Sequence, residues 1–184
     1  MKAQVNKVSI RLVRDDLLSL ETTGLVVTTD VNLTVNPILA AKAGPTIKRE
    51  CIQIGWCEVG SAVVTNAGNL AAEKIVHAVA PRWGEGSERG KLMNVTLECL
   101  RLAEEKRLKS LAIPPISTGA LGYPLENCAK TMLTQIVDYT FENLKYLRQI
   151  VICVDTALAL EVFEREFSEQ LQQLKQTGDG KVKV

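Results

Sequence analysis

The chain contains very little histidine. His77 is the one histidine among 184 residues, so a metal site that needs two or three imidazoles cannot form within one chain. A Ser-His-Asp or Cys-His catalytic arrangement would have to use His77 alone. We therefore expect neither a metal ion nor a catalytic centre of this kind.

Long apolar runs, a strong net charge and paired cysteines are also missing. No stretch approaches the roughly 18 apolar residues of a membrane-spanning helix. A net charge of +1 argues against bulk attraction to nucleic acid or to an anionic membrane. The five cysteines form no CxxC pair, and the amino-terminal segment lacks the pattern of a signal peptide. These features predict reduced thiols in a cytoplasmic protein, or a nuclear one in a eukaryote.

Length and composition indicate one globular domain. Domains contain roughly 100 to 200 residues, and the hydrophobic fraction of 46% and charged fraction of 23% are typical of soluble proteins. We expect a single domain over residues 1–174. The last stretch, QTGDGKVKV, is polar and contains glycine, so residues 175–184 are predicted to form a flexible tail.

Short β-branched runs alternate with amphipathic stretches through much of the chain. Strands are predicted at residues 5–13, 24–29, 61–65, 74–79, 110–116 and 149–155. Helices are predicted from Pro37 and over residues 46–54, 91–106, 124–143 and 157–174. This alternation indicates an α/β fold, with a mixed and mostly parallel sheet covered by helices on both faces.

In such folds, ligands bind beyond the carboxyl ends of the strands. The functional loops are therefore expected after Thr29, Ala80, Ile116 and Val154. The most informative of them is ISTGALGYP, residues 116–124, where a buried strand leads through two glycines and two hydroxyls into a helix started by Pro124. Glycines let backbone amides approach a ligand closely, and free amides near a helix start bind anions. The segment predicts a phosphate loop; the alternative is a tight turn with no ligand.

Five stretches resemble the macrodomain family, whose members bind ADP-ribose. They are DDL at 15–17, GPTIKREC at 44–51, VGSAVVTNAGNL at 59–70, KIVHAVAPRW at 74–83 and LKSLAIPPISTGALGYP at 108–124. The resemblance spans roughly residues 5–170. It implies a three-layer α/β/α fold with a mixed sheet between helices.

The resemblance also implies roles for individual residues. Asp16 is expected to accept the adenine amino group, with the Leu17 backbone amide nearby; the alternative for Asp16 is a solvated turn. Val154 and Asp155 stand where the family often has a stacking aromatic and an acid. The residues implied to wrap the diphosphate through their backbone amides are Ser117, Thr118, Gly119, Ala120, Leu121 and Gly122.

The first ligand loop departs from the family pattern. The family carries N-A-A-N followed by a glycine-rich G-G-G-V, whereas this chain has TTDVN at 28–32 and Asn32-Leu-Thr-Val35 in place of the glycines. Asn32 and Val35 remain candidate ligand contacts. In one hydrolase branch an aspartate follows that valine and helps activate water. Here the residue is Asn36, whose amide cannot act as a general base.

These features predict a module that binds ADP-ribose, or a related ADP-containing nucleotide, either free or attached to a protein. No turnover, catalytic residue, metal or cofactor is expected. Two alternatives stay open. One is an ADP-ribosyl hydrolase or O-acetyl-ADP-ribose deacetylase; the other is a degenerate macrodomain that binds another nucleotide, RNA or a protein partner. The near-neutral charge disfavours RNA.

Overall fold

The computed structural model describes residues 1–184, which form eight β-strands and five α-helices. The strands are β1 (Lys2–Val5), β2 (Val8–Arg14), β3 (Gly24–Thr29), β4 (Ala62–Asn66), β5 (Lys74–Val79), β6 (Ser110–Ile113), β7 (Gln149–Val154) and β8 (Val182–Lys183). The helices are α1 (Pro37–Ala43), α2 (Thr46–Ile54), α3 (Glu88–Glu105), α4 (Leu125–Tyr139) and α5 (Ala157–Thr177). None of these helices combines the length and apolar character needed to cross a membrane.

All eight strands belong to one mixed sheet, in the order β4-β5-β3-β6-β7-β2-β1-β8. The five central strands, from β5 to β2, are parallel, and the strands outside them pair in antiparallel fashion. The carboxyl ends of the parallel strands therefore meet at one edge of the sheet. This edge is where ligands bind in folds of this class.

Alternating side chains divide the core into two layers. In β7, Ile150 and Ile152 face a large cluster that includes Phe163 of α5, whereas Val151 and Cys153 face a smaller cluster on the side of α1 and α2. Helices α3, α4 and α5 cover the first face of the sheet. The predicted three-layer α/β/α fold is confirmed.

The strand predicted over residues 5–13 in fact covers the last residue of β1, a tight turn and most of β2. Asn6 has φ of 55°, a left-handed conformation that asparagine adopts more readily than most residues. The turn lets β1 fold back on β2, with Val5 paired to Val8. Val8, Ile10 and Leu12 are buried as the alternation predicted.

Other boundaries move by a few residues for local reasons. Strand β6 ends at Ile113, because Pro114 and Pro115 have no N–H to donate to a neighbouring strand. Helix α3 begins at Glu88, three residues before the predicted start. Helix α4 ends at Tyr139, before the predicted end at residue 143.

The structure differs from the sequence prediction at the carboxyl terminus. Instead of a frayed tail from residue 175, α5 continues to Thr177 and ends at Gly178, whose φ of 72° favours glycine. Val182 then pairs with Val5, so β8 covers the outer edge of β1. Free N–H and C=O groups on an edge strand can accept such a partner, and composition alone does not reveal it.

Candidate functional site

A cleft of about 630 Å³ opens at the carboxyl ends of β2, β6 and β7; we call it the carboxyl-end cleft. Its lining comprises Asp15, Asp16, Leu17, Pro114, Pro115, Thr118, Gly119, Tyr123, Leu125, Cys153, Val154, Asp155, Thr156 and Ala159. The lining includes three carboxylates, together with Thr118 and Gly119 of the glycine-containing loop. The cleft therefore joins the two regions that the sequence singled out.

Asp16 begins a single turn of 3-10 helix just beyond β2. Its Oδ1 accepts a hydrogen bond from the Leu18 N–H at 3.2 Å, and its Oδ2 lies 3.2 Å from Nζ of Lys42 in α1. The hydrogen bond from Lys42, followed by that from Leu18, holds the pKa of this exposed carboxyl below its usual value. Asp16 thus presents an ionised acceptor at the cleft, with the half-exposed Lys42 as its partner.

The loop after β6 offers a row of unpaired backbone donors. The N–H groups of Ser117 and Thr118 donate no hydrogen bond within the chain. Gly119–Leu121 form one 3-10 turn, whose first N–H groups have no partner inside the turn. Ser117 is 2% exposed and has φ of 68°, and its hydroxyl is buried without a partner. Successive free amides in such a turn form an anion-binding concavity.

The space beside Gly119 is open. A Cβ built on Gly119 would meet no atom within 4 Å, so neither Val35 nor Asn36 fills that position. The loop itself is fixed from behind: the Trp83 N–H donates to the Leu121 carbonyl at 3.0 Å, and the Tyr123 N–H donates to the Ser117 carbonyl at 2.9 Å. The anion-binding loop is therefore held in shape while its outer side remains accessible.

The end of β7 supplies an apolar wall and a thiol. Val154 and Asp155 both line the cleft, and Val154 is 1% exposed. The Cys153 thiol donates to the Asp15 carbonyl at 3.4 Å, and burial raises the pKa of Cys153 to about 11. The thiol is protonated at neutral pH and therefore is not an activated nucleophile.

The first loop, after β3, is closed on itself. Asp30 Oδ1 accepts hydrogen bonds from the Asn32 N–H at 3.0 Å and from the N–H and hydroxyl of Thr34 at 3.2 and 3.1 Å. Burial opposes ionisation, but these hydrogen bonds lower the pKa of Asp30 overall. Leu33 is buried with φ of 57°, and Val35 packs on the smaller core cluster. Neither Asn32 nor Val35 lines the carboxyl-end cleft.

Two further polar residues have structural roles. The Asn36 side chain caps α1, accepting from the Ile38 N–H at 2.8 Å. His77 is 2% exposed and lies 2.8 Å from the Thr65 hydroxyl. Burial lowers the pKa of His77 to about 4, so the imidazole is neutral at physiological pH. His77 is a packed residue away from the cleft.

The structure brings together only part of the predicted site. The predicted residues that line the cleft are Asp16, Leu17, Thr118, Gly119, Val154 and Asp155. The predicted residues that lie outside the cleft lining are Asn32, Val35, Ser117, Ala120, Leu121 and Gly122. Sequence reasoning missed Pro114, Pro115 and Thr156, although each lies within three residues of a strand end, which is the signal that could have identified them.

Comparison with known proteins agrees with this architecture. A family model described as Macro domain matches residues 30–132. A macro domain-containing protein of Caldanaerobacter subterraneus is 36% identical over 143 residues, covering 72% of this chain and 82% of that protein. An O-acetyl-ADP-ribose deacetylase of Pantoea vagans is 37% identical over 118 residues, covering 61% of this chain and 69% of that protein.

Among solved structures, the macrodomain of Oceanobacillus iheyensis with ADP superposes with a TM-score of 0.88, covering 94% of this chain and 97% of that one. The sequence identity between the two chains is 22%, so this similarity supports the fold alone. The family model covers more than half of the chain, and the relative from Caldanaerobacter matches most of it. The chain belongs to the macro domain family.

Proposed function

We propose that the carboxyl-end cleft binds ADP-ribose, or a related ADP-containing nucleotide. The observation that carries this proposal is the row of free backbone N–H groups at 117–121, of which Thr118 and Gly119 line the same cleft as the ionised carboxylate of Asp16. The cleft volume of about 630 Å³ falls within the range of small-molecule sites, roughly 300 to 1,000 Å³.

The loop suits a diphosphate in particular. The backbone N–H groups of Trp83 and Tyr123 donate to carbonyls of this loop and hold it in place. The free amides of the loop are therefore fixed donors, and binding needs little reorganisation. The positive end of α4, which starts at Leu125, adds favourable potential for a negative group. No arginine lines the cleft, so phosphate recognition rests on backbone groups.

The opposite end suits a nucleobase with an amino group. Asp16 Oδ2 exchanges its contact with Lys42 for the amino group, while Oδ1 keeps its place on the Leu18 N–H. Val154 borders this end of the cleft but is 1% exposed, so its contact with the ring is small. No aromatic side chain stacks on the base at this end. In proteins that bind single-stranded nucleic acid, such stacking contributes about 1 to 3 kcal/mol per base.

Binding without turnover is part of the proposal. The Asn36 amide is engaged as a helix cap, the Asp30 carboxylate accepts hydrogen bonds from its own loop, and the Cys153 thiol is protonated. Hydrolysis of an ADP-ribosyl ester is the second candidate, because the relative from Pantoea vagans bears the name of a deacetylase. Asp15, Asp16 and Asp155 are the carboxylates that could then act as a general base in the cleft.

Calorimetric titration with ADP-ribose, ADP and AMP tests the binding of a diphosphate. We expect ADP-ribose and ADP to bind at least about tenfold more tightly than AMP, because the loop donors are used fully only by a diphosphate. No heat and no thermal stabilisation with ADP-ribose would contradict the proposal. Incubation with O-acetyl-ADP-ribose is expected to release no acetate; release above the background hydrolysis rate would establish the second candidate.

A further inference from the structure

Two sulfur atoms of α4 hold the residue at which the anion-binding loop begins. The Ile116 N–H donates to Sδ of Met132 at 3.3 Å, and the Ile116 carbonyl accepts from the thiol of Cys128 at 3.0 Å. Cys128 and Met132 stand one turn apart in α4, and both are fully buried. Both backbone polar groups of Ile116 are therefore satisfied by sulfur-containing side chains.

Ile116 depends on these side chains because it has no backbone partner. It lies beyond the end of β6, and the two prolines before it have no N–H to donate. A buried N–H or carbonyl without a partner lowers stability. Burial raises the pKa of the Cys128 thiol to about 12, so the thiol keeps its proton and remains a donor. The carbonyl is its main acceptor, because Met132 Sδ lies farther from the thiol, at 3.5 Å, and accepts more weakly.

The contact with Cys128 sets the direction of the next amide. The Ile116 carbonyl and the Ser117 N–H belong to one planar trans peptide unit, in which the two groups point in opposite directions. Because the carbonyl points toward Cys128, the free N–H of Ser117 points away from Cys128. Rotation of this peptide unit would therefore turn the first donor out of the row of free amides.

The following peptide unit is held in the same way. The Ser117 carbonyl accepts from the Tyr123 N–H at 2.9 Å, so the free N–H of Thr118 points away from the Tyr123 amide. Between these two units, Ser117 has φ of 68°, a left-handed conformation that serine rarely adopts. Such a residue persists only when the contacts around it hold it in place. Loss of the Cys128 contact would therefore disturb the amides of both Ser117 and Thr118.

We propose that Cys128 is a positioning residue of the nucleotide site, whose thiol orients the first amides of the anion-binding loop toward a diphosphate, with Met132 as its support on the next turn of α4. This inference rests on the proposed function. Neither residue lines the carboxyl-end cleft, so both act through Ile116. The role of Cys128 is therefore expected to matter more for a nucleoside diphosphate than for a monophosphate.

The test measures the affinities of ADP-ribose, ADP and AMP by calorimetry. Cys128→Ala removes the donor, and we expect ADP-ribose and ADP to bind about tenfold more weakly while AMP changes by less than about threefold. Cys128→Ser keeps a donor at this position and should bind ADP within about threefold of the parent. Cys99→Ala is the matched control, because Cys99 is also fully buried in the same core cluster but lies in α3 and does not contact Ile116.

Met132→Leu is a second variant that keeps nearly the same volume in the core, so it should fold even where Cys128→Ala does not. It removes the acceptor of the Ile116 N–H. We expect it to weaken ADP binding by about three- to tenfold, with a smaller effect on AMP.

The outcomes separate amide positioning from a general loosening of the core. Parental ADP affinity in folded Cys128→Ala or in Met132→Leu would overturn this inference and leave the proposed function standing. An equal loss for AMP and ADP, an equal loss in Cys99→Ala, or a serine variant as weak as the alanine variant would also overturn it. A parent protein that does not bind ADP-ribose would overturn the proposed function, and this inference with it.

Discussion

Gly119→Glu tests the anion-binding loop most directly. Gly119 has φ of 74°, and no atom lies within 4 Å of the position where its Cβ would stand. The new side chain therefore fits without a clash, but it introduces a negative charge beside the proposed diphosphate site. Left-handed backbone costs a non-glycine residue about 1 to 2 kcal/mol in stability, which a core of this size tolerates.

The loss of affinity follows from simple electrostatics. A carboxylate about 6 Å from one phosphate charge is repelled by roughly 0.7 kcal/mol at the dielectric constant of water and by about 3 kcal/mol at an effective value of 20. The cleft is open to solvent on one side, so an intermediate value of about 2 kcal/mol is appropriate. That energy corresponds to roughly 30-fold weaker binding of ADP-ribose.

Gly178→Glu provides the matched control. Gly178 has φ of 72°, has no atom within 4 Å of its Cβ position and ends α5 away from the cleft. The substitution therefore adds the same charge at similar backbone strain. Both variants should unfold at similar temperatures, and only Gly119→Glu should lose affinity in calorimetric titration. Binding by Gly119→Glu within about threefold of the parent, at equal stability, would refute the placement of the diphosphate.

Three further changes test other residues. Asp16→Ala should weaken ADP-ribose binding by about 1 to 3 kcal/mol, the range for a hydrogen bond to a charged group, and leave the fold intact; calorimetry showing parental affinity would contradict this. Glu104→Gln should lower the free energy of unfolding by about 1 to 2 kcal/mol in urea titrations, because the carboxylate accepts from the N–H groups of Tyr146 and Leu147; an unchanged midpoint would contradict it. His77, with a native pKa of about 4 against an ordinary value of 6.5, takes up its proton more readily when unfolded. Stability should therefore be complete above pH 6.5 and fall by up to about 3 kcal/mol as the pH drops to 4, and His77→Gln should flatten that slope; an equal slope in both proteins would count against it.

The central strands and most of the helices could be predicted from periodicity. Strand β3 and helix α2 have the predicted bounds, because Gly24, Gly44 and Gly55 mark their limits in the sequence. The hairpin at Asn6 was hidden, because apolar residues continue on both sides of the turn. The pairing of Val182 with Val5 joins residues far apart in the chain, and no local pattern carries such information.

The candidate site divides in the same way. The loop that contains Gly119 was identified from a local pattern, two glycines between a strand and a helix, whereas the role of Asp16 was implied by the resemblance to the macrodomain family. The conformation of the first loop was not predictable, because the hydrogen bonds of Asp30 to Asn32 and Thr34 decide it.

The link between Trp83 and the anion-binding loop gives the protein an optical reporter of its own state. The Trp83 indole stands against Tyr123, and the backbone N–H of Trp83 donates to the Leu121 carbonyl, so the surroundings of the indole follow the loop. The other indole, Trp56, is 60% exposed and precedes β4. With Trp56 replaced by phenylalanine, the emission of the remaining indole becomes a label-free fluorescence signal for events at the anion-binding loop, and rapid mixing can then follow them in time.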